Sequence, residues 1–179
     1  MNRPLLVTLL MLGFAGTTFA QDRADFDVFR DVSKQVNRYA YFTIFDSVHA
    51  SVDEGYVTLV GKVTMPYKAS DIEKRVARID GVKGVRNAID VLPVSWSDDN
   101  LRLQIARAVY AHPALSMYGL GPNPSIHVIV ERGRVTLDGV VNNEMDRSIA
   151  NHVARSFLAF DVTNDLKTDE EMEQLLETL

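Results

Sequence analysis

Two stretches of the chain alternate apolar and polar residues in the same way. Residues 48–63 read VHASVDEGYVTLVGKV, and residues 126–141 read IHVIVERGRVTLDGVV. In each stretch the apolar positions recur at every second residue on both sides of a glycine, Gly55 or Gly133. Such alternation predicts strands, and the glycine favours a two-residue hairpin turn between them. The sequence therefore predicts two copies of one β-hairpin.

Helical periodicity flanks both hairpins. Before each hairpin, apolar residues one turn apart predict an amphipathic helix: Val28, Val32 and Val36, then Leu101, Ile105 and Val109. Asp25 and Asp98 stand at the positions of N-caps for these helices. A second helix and a third strand follow each hairpin, within residues 72–89 and 149–166. We predict an α+β fold of two tandem αββαβ modules, each a three-stranded mixed sheet covered by two helices.

The strand pattern also predicts which side chains form each core. The inward positions are Val48, Ala50, Val52, Val57 and Leu59 in the first copy, and Ile126, Val128, Val130, Val135 and Leu137 in the second. The opposite sheet face carries His49, Ser51 and Thr58, or His127, Ile129 and Thr136. That open face is either solvated or a docking surface.

The ends of the chain differ from the repeat. In residues 1–20, Arg3 precedes an apolar run and then small residues up to Ala20, which predicts a signal peptide cleaved before Gln21. The run is shorter than the roughly 20 residues of a membrane span, so we expect a periplasmic protein without a transmembrane span in the mature chain.

Domain boundaries follow from the repeat. The predicted first module covers residues 21–92, a linker covers 93–97, and the second module covers 98–167. Trp96 in the linker is predicted to pack between the modules. Residues 168–179 are predicted to form an acidic amphipathic helix, because Thr168 and Glu171 have the spacing of a capping box.

Both copies resemble the BON domain, a bacterial module of osmotically induced and nodulation proteins. The resemblance rests on the pattern V-x-x-G-x-V-x-L-x-G-x-V, which starts at Val52 and at Val130, and on a later Val-x-Asn-x-[Ile/Leu] at Val85 and Val162. The glycines of the motif are structural in character: Gly55, Gly61, Gly81, Gly133 and Gly139. The second copy departs from the pattern by having Ala159-Phe160 where the first has Gly81-Val82.

The resemblance implies an exported, non-enzymatic protein of envelope integrity or osmotic stress, with phospholipid binding proposed for the module. Composition agrees, since the chain has no cysteine and therefore no thiol nucleophile, thiolate ligand or disulfide. A formal net charge of -5 disfavours nucleic acid as a partner. The four histidines lack the spacing of metal ligands. We predict no catalytic residue, metal or cofactor.

A basic stretch around the second helix of the first copy is the first candidate binding site. Its proposed lipid-binding residues are Lys68, Lys74, Arg75, Arg78, Lys83 and Arg86. Basic residues near a membrane surface each contribute about 1 kcal/mol of attraction to anionic lipid. The alternative is a solvated helix face with ordinary ion pairs, such as Asp71 with Arg75.

The second candidate is the loop at residues 112–125. Its proposed apolar contact residues are Leu115, Met117, Tyr118 and Leu120, and the first copy has Tyr39, Tyr41, Phe42 and Phe45 at the matching place. Apolar side chains on such a loop insert into an interface or seal the end of a small core. Two functions follow: binding of phospholipid or a membrane surface, or an adaptor or holdase-like stress protein that binds an envelope protein.

Overall fold

The fold is known from a computed structural model that describes residues 23–120 and 123–177. The predicted signal peptide lies outside the described residues. In the first module the elements are α1 (Asp25–Asn37), β1 (Ser47–Asp53), β2 (Tyr56–Val63), α2 (Pro66–Val76) and β3 (Gly84–Val91). In the second they are α3 (Trp96–Ala111), β4 (Ile126–Glu131), β5 (Arg134–Val141), α4 (Glu144–Arg155), β6 (Asp161–Asn164), β7 (Lys167–Thr168) and α5 (Asp169–Glu177).

Each module contains a mixed sheet, as predicted. β1 pairs with β2 antiparallel and β3 pairs with β2 parallel, while β4, β5 and β6 repeat this arrangement. A parallel neighbour requires a crossover connection, which α2 and α4 provide. In the second sheet the third strand is interrupted, and its continuation β7 pairs with the far end of β5.

The predicted cores form on one face of each sheet. Val57 and Leu59 are buried, as are all five predicted core positions of the second copy. The three predicted residues of β1 are only partly buried, although they pack against the first core. The three valines of α1 are buried against the sheet, which confirms the helix periodicity.

The predicted N-cap roles of Asp25 and Asp98 are wrong. Ser95 caps α3 by accepting a hydrogen bond from the Asp98 N–H, and α1 follows Ala24 without a side-chain cap. The Asp98 carboxylate instead accepts hydrogen bonds from the Arg132 and Gly133 N–H groups, both at 2.8 Å. Asp25 binds the turn of the first hairpin equivalently, at 2.7 and 2.8 Å. Each carboxylate thus joins the start of a helix to a hairpin turn.

Glycine is required inside β2 and β5. Gly61 has φ +140° and Gly139 has φ +120°, and a Cβ at these positions would lie 2.1 Å from the Ser47 carbonyl oxygen and 1.9 Å from that of Ser125, which directly precedes β4. No side chain fits there, so the neighbouring strand approaches the glycine backbone directly. The other three motif glycines also have positive φ: Gly55, Gly81 and Gly133.

A buried carboxylate fixes the segment between α1 and β1. Asp46 is fully buried, and its oxygens accept hydrogen bonds from Lys68 Nζ at 2.6 Å and from the Thr43 and Thr64 N–H groups at 2.8 and 2.7 Å. Burial alone would raise the pKa of Asp46, but the hydrogen bonds from Lys68 and the two threonines outweigh it and hold the pKa below its usual range. Residues 43–46 therefore have a fixed conformation.

The segment at residues 43–46 forms part of the contact between the modules. The Ile44 carbonyl accepts a hydrogen bond from the Val128 N–H of β4 at 2.7 Å, and Ile44 and Phe45 pack against the second core. Lys62 of β2 forms an ion pair with Glu131 of β4. The predicted packing role of Trp96 is wrong, because this side chain is 82% exposed.

The capping box predicted for α5 is confirmed. Thr168 N–H donates to Glu171, and Glu171 N–H donates to the Thr168 hydroxyl. Arg147 of α4 holds the same carboxylate at 3.0 Å, which keeps α5 beside the second sheet. Within residues 23–120 and 123–177, no helix combines the length and the hydropathy needed to cross a bilayer.

We expect Lys68→Met to lower the free energy of unfolding by about 3 kcal/mol, because it leaves the buried Asp46 carboxylate without its cation. Urea denaturation followed by circular dichroism measures the change. The matched control is Lys74→Met on the exposed side of α2, which we expect to change stability by less than about 0.5 kcal/mol. Equal effects of the two substitutions would contradict the role assigned to the buried pair.

Candidate functional site

The six residues of the predicted basic site do not lie together in the structure. Lys68 is 3% exposed and paired with Asp46, so it is a buried structural residue and its predicted place in a lipid-binding surface is wrong. The other five are exposed: Lys74, Arg75, Arg78, Lys83 and Arg86. They do not form one surface. Val85 packs against the first core, so strand alternation places Arg86 on the opposite face of the sheet from α2.

Exposed tyrosines accompany the basic residues that remain on α2. Tyr41 and Tyr67 have ring centroids 6.0 Å apart, and Tyr41 also meets the buried Tyr39 at 5.8 Å. The Arg75 guanidinium lies 5.0 Å from the centroid of Tyr39. Cation–π contact of this kind holds the guanidinium near the aromatic rings. We call this surface the tyrosine-basic face; it consists of Tyr41, Tyr67, Lys74, Arg75 and Arg78.

The four residues of the predicted apolar contact loop also differ in their surroundings, since two are buried and two are exposed. Leu115 and Tyr118 are buried in the second core, where the Tyr118 hydroxyl donates to Asp146 and accepts from the Asn142 N–H. Burial and the neighbouring Asp146 raise the pKa of Tyr118 to about 12. These two residues therefore seal the core, which corrects their predicted role in binding. Met117 and Leu120 are exposed and remain candidates for contact.

Large apolar side chains are also exposed on the linker and on the adjoining loop of the second module. Four large side chains there are 82% to 101% exposed: Val94, Trp96, Leu158 and Phe160. We call these four residues the apolar patch. Single exposed apolar residues are ordinary on soluble proteins, but a group with almost complete exposure is typical of an interaction surface.

Local structure fixes the loop that carries half of this patch. The Phe160 N–H donates to the Gly133 carbonyl at 2.8 Å, and the Phe160 ring occupies the space that a Cβ at Gly133 would need. Pro93, Leu158 and Phe160 line one groove, so linker and loop lie side by side. Val94 and Trp96 are exposed on the same linker but are not among the residues that line this groove. The sequence contained a signal for this surface, because Ala159-Phe160 is the place where the second copy departs from the first.

Between the modules, a serine, a histidine and an aspartate meet. His49 Nε2 lies 3.0 Å from Asp138 Oδ2 and 3.2 Å from Ser47 Oγ, and the Ser47 hydroxyl donates to the same Asp138 oxygen. A catalytic triad needs the histidine to contact serine and aspartate through different ring nitrogens. Here one nitrogen faces both partners, so the cluster is an ionic contact between modules.

The charges of this contact stabilise each other. The hydrogen bond to Asp138 raises the pKa of His49 above its usual value. Burial would raise the pKa of Asp138, but the hydrogen bonds from His49 and Ser47 outweigh it and lower the pKa. Within residues 23–120 and 123–177, no group of three or more His, Asp and Glu side chains has the arrangement of a metal site.

Sequence comparison identifies the repeat. The BON domain profile matches residues 25–93 and again residues 97–170, which together make up most of the chain. The chain belongs to the BON domain family. BON domains are associated with envelope and osmotic-stress proteins and with phospholipid binding, and the family is generally non-enzymatic. No curated protein matches the chain.

Two solved structures similar to these tandem BON domains come from Chlamydia trachomatis. One is CdsD, a structural protein of the type III secretion system, with 14% identity, 84% of this chain and 97% of that chain covered, and a TM-score of 0.30. The other is the C-terminal domain of CdsD, with 12% identity, coverage of 82% and 99%, and a TM-score of 0.28.

The contact between the BON domains gives a pH-dependent contribution to stability. Because the pKa of His49 is raised on folding, its contribution is complete below the unfolded histidine pKa of about 6.5 and is lost as the pH rises through the folded value. We expect His49→Gln to destabilise the protein more at about pH 5.5 than at about pH 8.5.

Urea denaturation at both pH values measures this difference. The control is His152→Gln on the exposed surface of α4, which removes a histidine outside the contact. A His49→Gln effect that is the same at both pH values would contradict the ionic contact.

Proposed function

We propose that this two-domain BON protein is a non-enzymatic envelope protein that binds a phospholipid surface peripherally through the apolar patch. The observation that carries the proposal is the nearly complete exposure of Val94, Trp96, Leu158 and Phe160 on adjoining segments. Burial of one such side chain contributes about 1.5–3 kcal/mol, so partial insertion of this group supplies enough free energy for reversible membrane association. Trp96 also suits the boundary between head groups and acyl chains.

Electrostatic attraction through the tyrosine-basic face is the second part of the proposal. Lys74 and Arg75 are exposed in the last turn of α2 and Arg78 lies just beyond it, while the exposed Tyr67 is in the first turn with the Tyr41 ring beside it. Basic residues attract anionic head groups, and tyrosine rings suit the interfacial region. The first domain thus contributes mainly charge and the second mainly apolar area.

The periplasm is the compartment that we propose for this activity. Residues 1–20 have the sequence of a cleaved signal peptide, and BON proteins are typically periplasmic or membrane-associated. In that compartment the mature protein has access to the inner leaflet of the outer membrane and to the outer leaflet of the inner membrane. A role in osmotic stress or envelope integrity is consistent with this location.

The alternative function is a protein adaptor or holdase-like stress protein. The acidic helix α5 supports it, because Leu175 and Leu176 are partly exposed beside Asp169, Glu170 and Glu173. Such a surface suits an amphipathic or basic partner. Vesicle binding separates the two functions, since a protein adaptor has no requirement to associate with protein-free lipid.

We expect Trp96→Ser combined with Leu158→Ser to weaken association with lipid vesicles at least about ten-fold, because two side chains lose their burial in the bilayer. Flotation of the protein with vesicles of phosphatidylglycerol and phosphatidylcholine measures the change. The matched control is Met145→Ser, which removes an apolar side chain that is 72% exposed at the far end of α4. If the double variant floats with vesicles as well as the unmodified protein does, the apolar patch does not bind lipid.

We expect reversal of Lys74, Arg75 and Arg78 to glutamate to weaken binding to anionic vesicles more than about ten-fold, with little effect on zwitterionic vesicles. Binding of the unmodified protein to anionic vesicles should also decrease as salt rises. The control reverses Lys34, Arg86 and Arg107, three exposed residues elsewhere, and therefore changes the net charge equally. If the two triple variants lose vesicle binding equally, the net charge of the protein and not the tyrosine-basic face determines binding.

A further inference from the structure

A groove of about 670 Å³ lies on the open face of the second sheet. Strand alternation brings Arg134 and Thr136 of β5 and Thr163 of β6 to this face, opposite the buried core positions. Lys62 of the first domain closes one side of the groove, and Phe160 lies at another. The groove is therefore built by both BON domains.

Only some of the charged side chains that line the groove form ion pairs. Lys62 and Glu131 neutralise each other in an ion pair. Arg132 and Arg134 line the groove, and neither takes part in an ion pair found within residues 23–120 and 123–177. The one further carboxylate, Asp161, stands opposite Arg134 in the register of β5 and β6 and offsets part of its charge. Three basic and two acidic side chains line the groove, which leaves an excess of one positive charge for an anion.

The donor set suits a phosphate group. Arginine presents paired N–H donors in the geometry of phosphate oxygens, and threonine hydroxyls add neutral donors. Thr136 and Thr163 line the same groove as the two arginines. Carboxylate ligands would also accept these hydrogen bonds, but a phosphate offers more oxygens to donors arranged on several strands.

Apolar surface adjoins this cationic groove. Arg132 and Phe160 line both the groove and the neighbouring apolar groove that contains Leu158. An amphiphile with an anionic phosphate and an apolar chain matches this arrangement. We infer that the groove binds the phosphate of a phospholipid head group while the acyl chains contact the apolar patch. This inference rests on the proposed function and assigns the head-group site within it.

Titration of the intact two-domain protein with sn-glycerol 3-phosphate, followed by NMR, tests the groove without a membrane. We expect shifted amide signals at Arg134, Thr136 and Thr163. Arg132→Asn combined with Arg134→Gln should weaken binding about ten-fold or more. Asparagine is chosen at position 132 because φ is +51° there, a conformation that asparagine tolerates. The control is Arg107→Gln on α3, on the other side of the sheet, which should leave binding unchanged.

Vesicle flotation of the same variants separates this inference from the proposed function. Weaker binding of the arginine double variant to phosphatidylglycerol vesicles supports a lipid head group in the groove. Glycerol phosphate binding in a protein that binds no vesicles supports the phosphate site with a soluble phosphate ester as its source, and the proposed membrane function then fails. Vesicle binding that the double variant retains, without glycerol phosphate binding by the unmodified protein, overturns the groove and leaves the membrane function standing.

Discussion

The buried carboxylate of Asp46 determines how the two BON domains meet. Because Lys68 and the two threonines occupy its oxygens, the segment before β1 has one conformation, and that conformation presents the Ile44 carbonyl to the edge of β4. The second copy has Pro124 at the matching place and lacks this network. The contact therefore has a direction: a segment of the first domain covers an edge of the second. An edge strand that is covered in this way is also protected from pairing with other chains.

This asymmetric contact gives the open sheet faces of the two domains different surroundings. The second domain has Ile129 buried on its nominally open face, beside Lys62 of the first domain and Met172 of α5. On the corresponding face of the first domain, Val60 remains 44% exposed. A duplicated module with identical surfaces would offer two equal binding sites. Here the contact between the copies makes the open faces of their two sheets unequal.

The sequence predicted the fold because the same alternation and helix periodicity occur twice in the chain. It could not predict roles that depend on distant partners. Asp98 has the local sequence of an N-cap, yet its hydrogen-bond partner Gly133 is 35 residues away. Lys68 looks like part of a basic helix face until Asp46 is placed beside it. The apolar patch was missed because Trp96 resembles a packing residue, although the departure at Ala159-Phe160 marked the adjoining loop.

The hydrogen bonds that the Asp25 and Asp98 carboxylates accept from the hairpin turns also indicate an order of folding. They join positions 30 and 35 residues apart, whereas the hydrogen bonds from His127 to Thr43 and from Ser47 to Asp138 join positions 84 and 91 residues apart. Contacts between near positions require less loop-closure entropy and form sooner. We therefore expect each domain to close around its own carboxylate first. The finished first domain is then a template on which the edge of β4 docks as the last step.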